Sequence, residues 1–290
     1  MSSAHVLASQ AGLKILKKGG NAVDAVVATA LSLGVVAPAF SGIGGGGFLL
    51  VHLRKTGVSL YVDYREVAPK KARPDMYKPD SDGEAVDFEN SMGYRSVGVP
   101  GSIAGLTFAL ENYGTMKFRD VAVDAIEHGR RGFEISRLLG YIMANNIDNS
   151  TEKFRRYGET GKVWMNGRRP YRVGEEKVNK EFADVLELIS KEGKDSFYDG
   201  KIAKILTEDM AKNGGLITED DLAKFSVKVR KPVVGTYREF QVHAMPPPSL
   251  GGAAIVQMLN MFENIDLGGM GHNTAETISV MAKAMGLAYS

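Results

Sequence analysis

Residues 58–69 read V-S-L-Y-V-D-Y-R-E-V-A-P, a strand-like pattern followed by an arginine. Apolar and polar residues alternate along it, which predicts a strand over residues 58–64 with one face towards a core. Arg65 stands at the end of the polar face, shortly before a turn at Pro69. An arginine at a strand end is well placed to hold a carboxylate through two parallel hydrogen bonds.

Arg65 nevertheless has two interpretations. It is either a surface charge paired with Asp63 or Glu66, or a binding group for a carboxylate ligand. Charged side chains at strand ends are mostly solvated. Residue type alone therefore favours the surface ion pair, and the choice depends on the rest of the chain.

Composition restricts the classes of protein that need to be considered. The chain has 290 residues, 44% of them hydrophobic, enough to bury a large core. With no repeat or linker in it, we expect residues 1–290 to be part of a single domain. A net charge of +2 gives no indication of nucleic acid or a membrane surface as a partner. The start, M-S-S-A-H-V-L, lacks the pattern of a signal peptide, so we expect a cytoplasmic location.

The first part of the chain predicts two helices, a glycine-rich turn and a hairpin. Ser2 or Ser3 is expected to cap a helix that reaches about residue 18. Asn21, with Asp24 three residues on, is expected to cap a second helix, which is apolar all round and therefore expected to be buried. The turn S-G-I-G-G-G-G at residues 41–47 contains G-x-G-x-x-G, but it follows a helix and precedes a strand. A dinucleotide site requires the reverse order. We therefore expect no nucleotide there, and glycines that allow close backbone approach and positive φ.

The second part predicts mainly amphipathic helices around a strand-like segment at residues 227–242. The basic residues of segment 150–180 are interleaved with glutamates, so we expect a solvated excursion rather than a nucleic-acid site. Thr218 with Asp221 is expected to form the capping box of a short helix. Ile255, Met258, Leu259 and Phe262 are expected to face a core, and Asn273 to cap the last helix. That helix meets no glycine or proline stop signal before Ser290, so we expect the fold to be incomplete there.

Few residues suggest chemistry directly. There is no cysteine, and the five histidines lie far apart without metal-ligand spacing, so we expect neither a metal nor a cofactor. Ser249 lies in a Pro/Gly turn with no recognisable partner, and no residue of the chain is assigned as a catalytic nucleophile. The residues alone indicate a mixed α/β layered domain with an arginine at a strand end.

Seven motifs, in order over nearly the whole chain, resemble the large subunit of γ-glutamyltransferases. One motif would be a weak signal, whereas the shared order makes the resemblance specific. The motifs are K-K-G-G-N-A-V-D-A-V-V-A (17–28), G-G-G-G-F-L-L (44–50), R-E-V-A-P (65–69), G-V-P-G-S-I-A-G (98–105), Y-G-T-M (113–116), N-G-G-L-I-T-E-D-D-L (213–222) and P-P-P-S-L-G-G (246–252).

The resemblance implies the N-terminal-nucleophile (Ntn) hydrolase fold, a four-layer αββα sandwich completed by a small subunit. In that family a precursor, or zymogen, cleaves itself autocatalytically, and the new N-terminal threonine of the small subunit attacks the γ-glutamyl group. Its own amine acts as base. The resemblance gives Arg65 the role of binding the substrate's α-carboxylate, leaves the nucleophile outside this chain, and leaves higher oligomers open.

Three functions remain at this point. The first is a γ-glutamyltransferase or glutathione hydrolase, acting on γ-glutamyl substrates such as glutathione. The second is a relative that acts on another amide, such as a β-lactam side chain or poly-γ-glutamate. The third is a non-catalytic binding scaffold.

The Asp63-Tyr64 pair before Arg65 differs from the small residues common in the family, which bears on the identity of the donor substrate.

Overall fold

The computed structural model describes residues 1–144 and 154–290. The backbone divides into two compact units, the first made of Met1–Gly47 and Tyr64–Val227 and the second of Phe48–Asp63 and Lys228–Ser290. A single domain over residues 1–290 stays a prediction. Residues 150–153 of the basic segment, including Glu152 and Lys153, lie outside the described residues.

The first unit is mostly helical. Its longer helices are α1 (Val6–Lys17), α2 (Ala22–Val36), α3 (Ser102–Tyr113), α5 (Val123–Arg131), α6 (Arg137–Ala144), α8 (Lys180–Glu192) and α10 (Lys201–Lys212). Its shorter helices are α4 (Phe118–Val121), α7 (Gly158–Trp164), α9 (Asp195–Tyr198), α11 (Glu219–Ala223) and a 3-10 turn at Val86–Phe88. Its strands are β3 (Phe133–Glu134), β4 (Met165–Asn166), β5 (Arg169–Pro170) and β6 (Glu176–Lys177).

Helix α2 is the centre of the first unit. It is apolar on nearly every side, and Val27, Leu31 and Val36 are at most 1% exposed, because a helix without a polar face has to be covered on all sides. Helices α1, α3 and α5 pack around it. The prediction of a buried second helix is confirmed.

The start of α2 is held by the capping box predicted from Asn21. The Asn21 side chain accepts hydrogen bonds from the backbone N–H groups of Val23 and Asp24, and Asp24 accepts from Asn21 N at 2.8 Å. Asp24 also accepts bonds from Thr115 N, Thr115 Oγ1 and Met116 N, at 2.6–3.0 Å. One buried carboxylate thus joins the motif at residues 17–28 to the Y-G-T-M motif.

The cap of α1 differs from the prediction. His5, and neither Ser2 nor Ser3, is the capping residue, and its Nδ1 accepts the hydrogen bond from Leu7 N at 3.2 Å. The Ser3 hydroxyl instead donates to the carbonyl of His5 at 2.9 Å. The imidazole therefore takes the place that a serine was expected to fill.

The second unit contains β1 (Phe48–Leu53), β2 (Val58–Asp63), β7 (Lys228–Arg230), β8 (Val233–Tyr237) and β9 (Phe240–Ala244), with α12 (Gly251–Phe262) and α13 (Ala275–Ala288). Strands β1 and β2 form the predicted antiparallel hairpin, and β7 extends it on the β2 side. The strand-like segment 227–242 forms β7 and part of the separate β8–β9 hairpin, with Pro232 between β7 and β8.

Two expectations for the helices of this unit are corrected. Of the four α12 residues expected in a core, Phe262 is buried, but Ile255 is 48% exposed. The cap of α13 is Thr274, whose side chain accepts from Thr277 N, whereas Asn273 has a positive φ of 55°. A left-handed residue cannot take the extended backbone of an N-cap.

Among the described residues, no helix is long and apolar enough to cross a membrane.

Candidate active site

The candidate site is built on residues 64–70, called here the Arg65 segment, which follows β2. Its start is tied to the glycine-rich turn, because Tyr64 N donates to Gly47 O at 3.0 Å. In the middle of the segment, Val67 O accepts a hydrogen bond from Val99 N at 2.8 Å. Its end donates from Lys70 N to the Asp221 carboxylate at 2.9 Å. Three sequence motifs, remote from one another along the chain, therefore fix the backbone on both sides of Arg65.

Asp221 is a buried anchor of this arrangement. Its carboxylate also accepts hydrogen bonds from Thr218 N and Thr218 Oγ1, which confirms the predicted capping box of α11. Burial by itself raises the pKa of Asp221, but the bonds from Thr218 and from Lys70 N outweigh it and leave the pKa below its usual value. The carboxylate therefore stays ionised and keeps accepting the bond from the Arg65 segment.

Glycines let neighbouring backbone pass close to the Arg65 segment. A Cβ on Gly46 would lie 2.5 Å from Tyr64 O, and one on Gly105 would lie 2.0 Å from the Tyr64 ring. No larger residue fits at such distances. Close approach was predicted for the glycine-rich turn and is confirmed. The positive φ expected there is wrong, since none of the glycines within residues 42–47 has φ in the left-handed region.

Arg65 itself is exposed and paired with its neighbour. Its side chain is 64% exposed, and its Nε lies 3.4 Å from Glu66 Oε2. Asp63, the other partner considered, accepts a bond from Arg230 Nε at 2.7 Å. The contact with Glu66 is longer than a strong charged hydrogen bond. Because the side chain is largely exposed, a carboxylate ligand can approach the guanidinium.

A cavity of about 760 Å³ opens on the other side of the same segment. Its lining includes Tyr64 and Glu66 but not Arg65, as alternation along an extended segment requires. Burial raises the pKa of the Tyr64 phenol, which therefore stays protonated. The structure thus does not bring Arg65 into this cavity.

Tyr198 is a supporting residue that the sequence did not reveal. Its hydroxyl donates to Pro100 O at 3.0 Å and accepts from Ala104 N at 3.1 Å, so it holds the G-V-P-G-S turn at the start of α3. Burial raises its pKa strongly, although the bond from Ala104 N acts in the opposite direction. Nothing local in the sequence links Tyr198 to a turn so far upstream.

The described residues contain no group of three or more histidine, cysteine or acidic side chains placed to hold a metal ion. What the site presents is a solvent-facing arginine on a backbone segment that is fixed on both sides, and such a side chain can bind an anion.

Comparison with known proteins decides the family. The sequence profile described as Gamma-glutamyltranspeptidase matches residues 8–290. The chain belongs to the gamma-glutamyltranspeptidase family. It is 39% identical over 297 aligned residues to the glutathione hydrolase proenzyme of Escherichia coli strain K12, covering 100% of this chain and 49% of that protein. The family assignment from the seven motifs is confirmed.

Structure comparison agrees with this assignment. The crystal structure of Helicobacter pylori gamma-glutamyltranspeptidase superposes with a TM-score of 0.92 at 40% identity, covering 99% of this chain and 81% of that one. The fold is therefore that of gamma-glutamyltranspeptidases and their Ntn-hydrolase relatives, with mixed helix and sheet, and the predicted fold class is confirmed.

Acylases are relatives as well. The chain is 37% identical to the acylase ACY 1 proenzyme of Pseudomonas sp. strain SE83, covering 99% of this chain and 51% of that protein. The chain spans about half the length of these curated relatives, which are proenzymes. This agrees with a large-subunit portion of a family precursor.

Proposed function

We propose that this gamma-glutamyltranspeptidase-family chain is the large subunit of a γ-glutamyltransferase or glutathione hydrolase. The observation that carries the proposal is the Arg65 segment, whose backbone is fixed on both sides by family motifs while its guanidinium faces solvent. In the proposed enzyme, Arg65 binds the α-carboxylate of a γ-glutamyl donor such as glutathione through paired charged hydrogen bonds.

The nucleophile is assigned to a second chain. The proposed partner is a small subunit that arises from the same precursor by self-cleavage and begins with a threonine whose amine acts as base. Arg65 contributes by positioning the donor, since a carboxylate held at one end places the amide at a fixed distance from it. Assembly into higher oligomers and a cytoplasmic location stay predictions.

Expression of the complete precursor tests this proposal. Mass spectrometry should find two chains, and the matured protein should release the leaving group from a γ-glutamyl amide. A precursor that remains uncut and inactive would instead support the third function, a non-catalytic scaffold.

An acylase is the second candidate, and the 37% identity to the acylase ACY 1 proenzyme is the observation that favours it. The two activities differ in the acyl group: a glutaryl group keeps the terminal carboxylate that Arg65 would bind and lacks only the α-amine of a γ-glutamyl group. The mature protein should therefore be compared on a γ-glutamyl amide and on a glutaryl amide of the same leaving group. Preference for the glutaryl amide would identify the acylase.

A further inference from the structure

Two histidines that are distant in sequence meet in the second unit. His52 belongs to β1 and His243 to β9, strands of two different sheets. Their ring centroids lie 6.4 Å apart, and the ring planes are inclined by 54°. Neither histidine has metal-ligand spacing along the chain, because such spacing does not report contacts between sheets.

Each ring makes a hydrogen bond through one nitrogen to a side-chain oxygen. His52 Nδ1 lies 2.8 Å from Ser59 Oγ, its cross-strand neighbour in the β1–β2 hairpin. His243 Nε2 lies 2.9 Å from Gln241 Oε1. A carboxamide oxygen can only accept, so the neutral His243 ring carries its proton on Nε2 and a lone pair on Nδ1. A His52 ring that donates from Nδ1 to Ser59 likewise keeps its lone pair on Nε2.

The lone pair of His243 has no partner of its own. Nδ1 of His243 is buried and makes no hydrogen bond within the described part of the chain. A buried polar atom without a partner loses its hydration without compensation, and the lone pair of His243 Nδ1 stays available to a metal ion.

We propose that His52 and His243 form a binding site for a divalent transition-metal ion of the Zn²⁺, Ni²⁺ or Cu²⁺ class. The ion is held by Nε2 of His52 and Nδ1 of His243, and water completes its coordination. The opposite nitrogens already have side-chain oxygen partners, Ser59 Oγ and Gln241 Oε1, which can fix the orientation of a metal-binding imidazole. Imidazole nitrogen suits these ions, whereas Mg²⁺ and Ca²⁺ prefer oxygen ligands.

The separation of the rings fits this site after a small movement. When two imidazoles bind one tetrahedral ion, each with a metal–nitrogen distance of about 2.1 Å, their ring centres lie about 5 Å apart. The rings, at 6.4 Å, must close by roughly 1 Å. His52 is exposed, so its side chain can rotate. Bound metal would join the β1–β2 hairpin to the β8–β9 hairpin within the second unit, independently of the proposed activity.

The test uses the complete, untagged, metal-stripped protein and equilibrium dialysis against Zn²⁺ and Ni²⁺. One ion should bind per protein molecule, and its binding should raise the melting temperature of the protein. His52→Ala and His243→Ala should each weaken binding at least about tenfold. His272, exposed and distant in sequence from both, provides the matched control, and His272→Ala should bind as the wild type does.

Because His243 is partly buried, His52→Ala is the decisive variant, since an exposed ring can be removed without disturbing the packing. Ser59→Ala should weaken binding less than His52→Ala, because it removes only the group that orients the ring. Equal binding by the wild type and His52→Ala, or no saturable binding by the wild type, would overturn the proposal.

Discussion

Glycines enclose Tyr64, the residue before Arg65, on several sides. Gly105, inside α3, faces the Tyr64 ring so closely that a Cβ would lie 2.0 Å from it. The bond between Tyr64 N and Gly47 O holds the backbone at the same point. A displaced Tyr64 would move the guanidinium of the next residue, so small residues around Tyr64 support the position of Arg65.

Gly105→Ala should therefore destabilise the protein, although alanine favours helix by about 1 kcal/mol over glycine. The clash with the Tyr64 ring should outweigh that gain and lower the free energy of unfolding by about 1–3 kcal/mol in urea denaturation. Gly286 is the matched control, since it also lies in a helix and has nothing within 4 Å of an added Cβ. Gly286→Ala should be neutral or stabilising. Equal effects of the two changes would contradict this account.

At the scale of elements, one carboxylate joins two motifs of the family. Asp24 is fully buried, caps α2 together with Asn21, and accepts bonds from Thr115 and Met116 after α3. Its removal would leave several buried N–H and O–H groups without acceptors. The two motifs therefore have a structural role, in contrast to the Arg65 segment.

Asp24→Ala should lower the free energy of unfolding by about 3 kcal/mol or more, because it removes both the cap and the bonds to Thr115 and Met116. Asp124→Ala is the control, since that carboxylate pairs with the exposed Lys14 at 3.1 Å. A surface pair contributes at most about 1 kcal/mol. Similar losses in the two variants, measured by urea denaturation, would show that the Asp24 network does not hold these elements together.

The same carboxylate predicts how stability depends on pH. Burial raises the pKa of Asp24, but the hydrogen bonds from Thr115, Asn21 and Met116 outweigh it and leave the pKa below the usual 3.8. A folded-state pKa below the unfolded value contributes stability above the unfolded pKa, and this is lost as pH falls through the folded pKa. Below about pH 4 the wild type should lose stability more steeply than Asp24→Asn. Parallel pH curves would contradict the assignment.

Local signals explain which elements the sequence could predict. The cap at Asn21 and the capping box at Thr218 use atoms only a few residues apart, and both were predicted correctly. The cap at Asn273 was wrong because two neighbouring residues could fill the position, and backbone φ selected Thr274. Ile255 was expected in a core because periodicity shows which face of a helix is apolar, not what covers it.

At the scale of the whole molecule, the sequence could not show contacts between remote segments. The meeting of His52 with His243 and the bond of Tyr198 to Pro100 both depend on the finished fold. Arg65 could be predicted as a binding residue because the family motif marks it, whereas its place at a strand end alone favoured a surface ion pair. The cavity beside Tyr64 is lined by residues from widely separated segments, so no single stretch of sequence predicts it.

An apolar stripe on α13 predicts how residues 1–290 behave when expressed alone. Ile278, Met281 and Met285 are 54%, 45% and 49% exposed and lie on one side of the helix. Exposed apolar patches promote association, so the chain expressed alone should aggregate or bind a hydrophobic dye strongly. The double change Met281→Lys with Met285→Lys should reduce dye binding, whereas Ser279→Lys on the same helix should not. A soluble monomer with a sharp cooperative melt and no dye binding would contradict this prediction.

The central claim, that Arg65 binds a donor carboxylate, is tested most directly by kcat/KM of the complete matured protein on two donors. One is a γ-glutamyl amide and the other is its analogue without the α-carboxylate. Charged hydrogen bonds contribute about 1.5–3 kcal/mol each, so Arg65→Ala should lower kcat/KM on the first donor by about tenfold to over a hundredfold. Arg65→Lys should recover part of that loss, because it keeps the charge without the fork. The account predicts little change on the second donor and normal self-cleavage, whereas an equal loss on both donors, or blocked maturation, would show that Arg65 is a structural residue paired with Glu66.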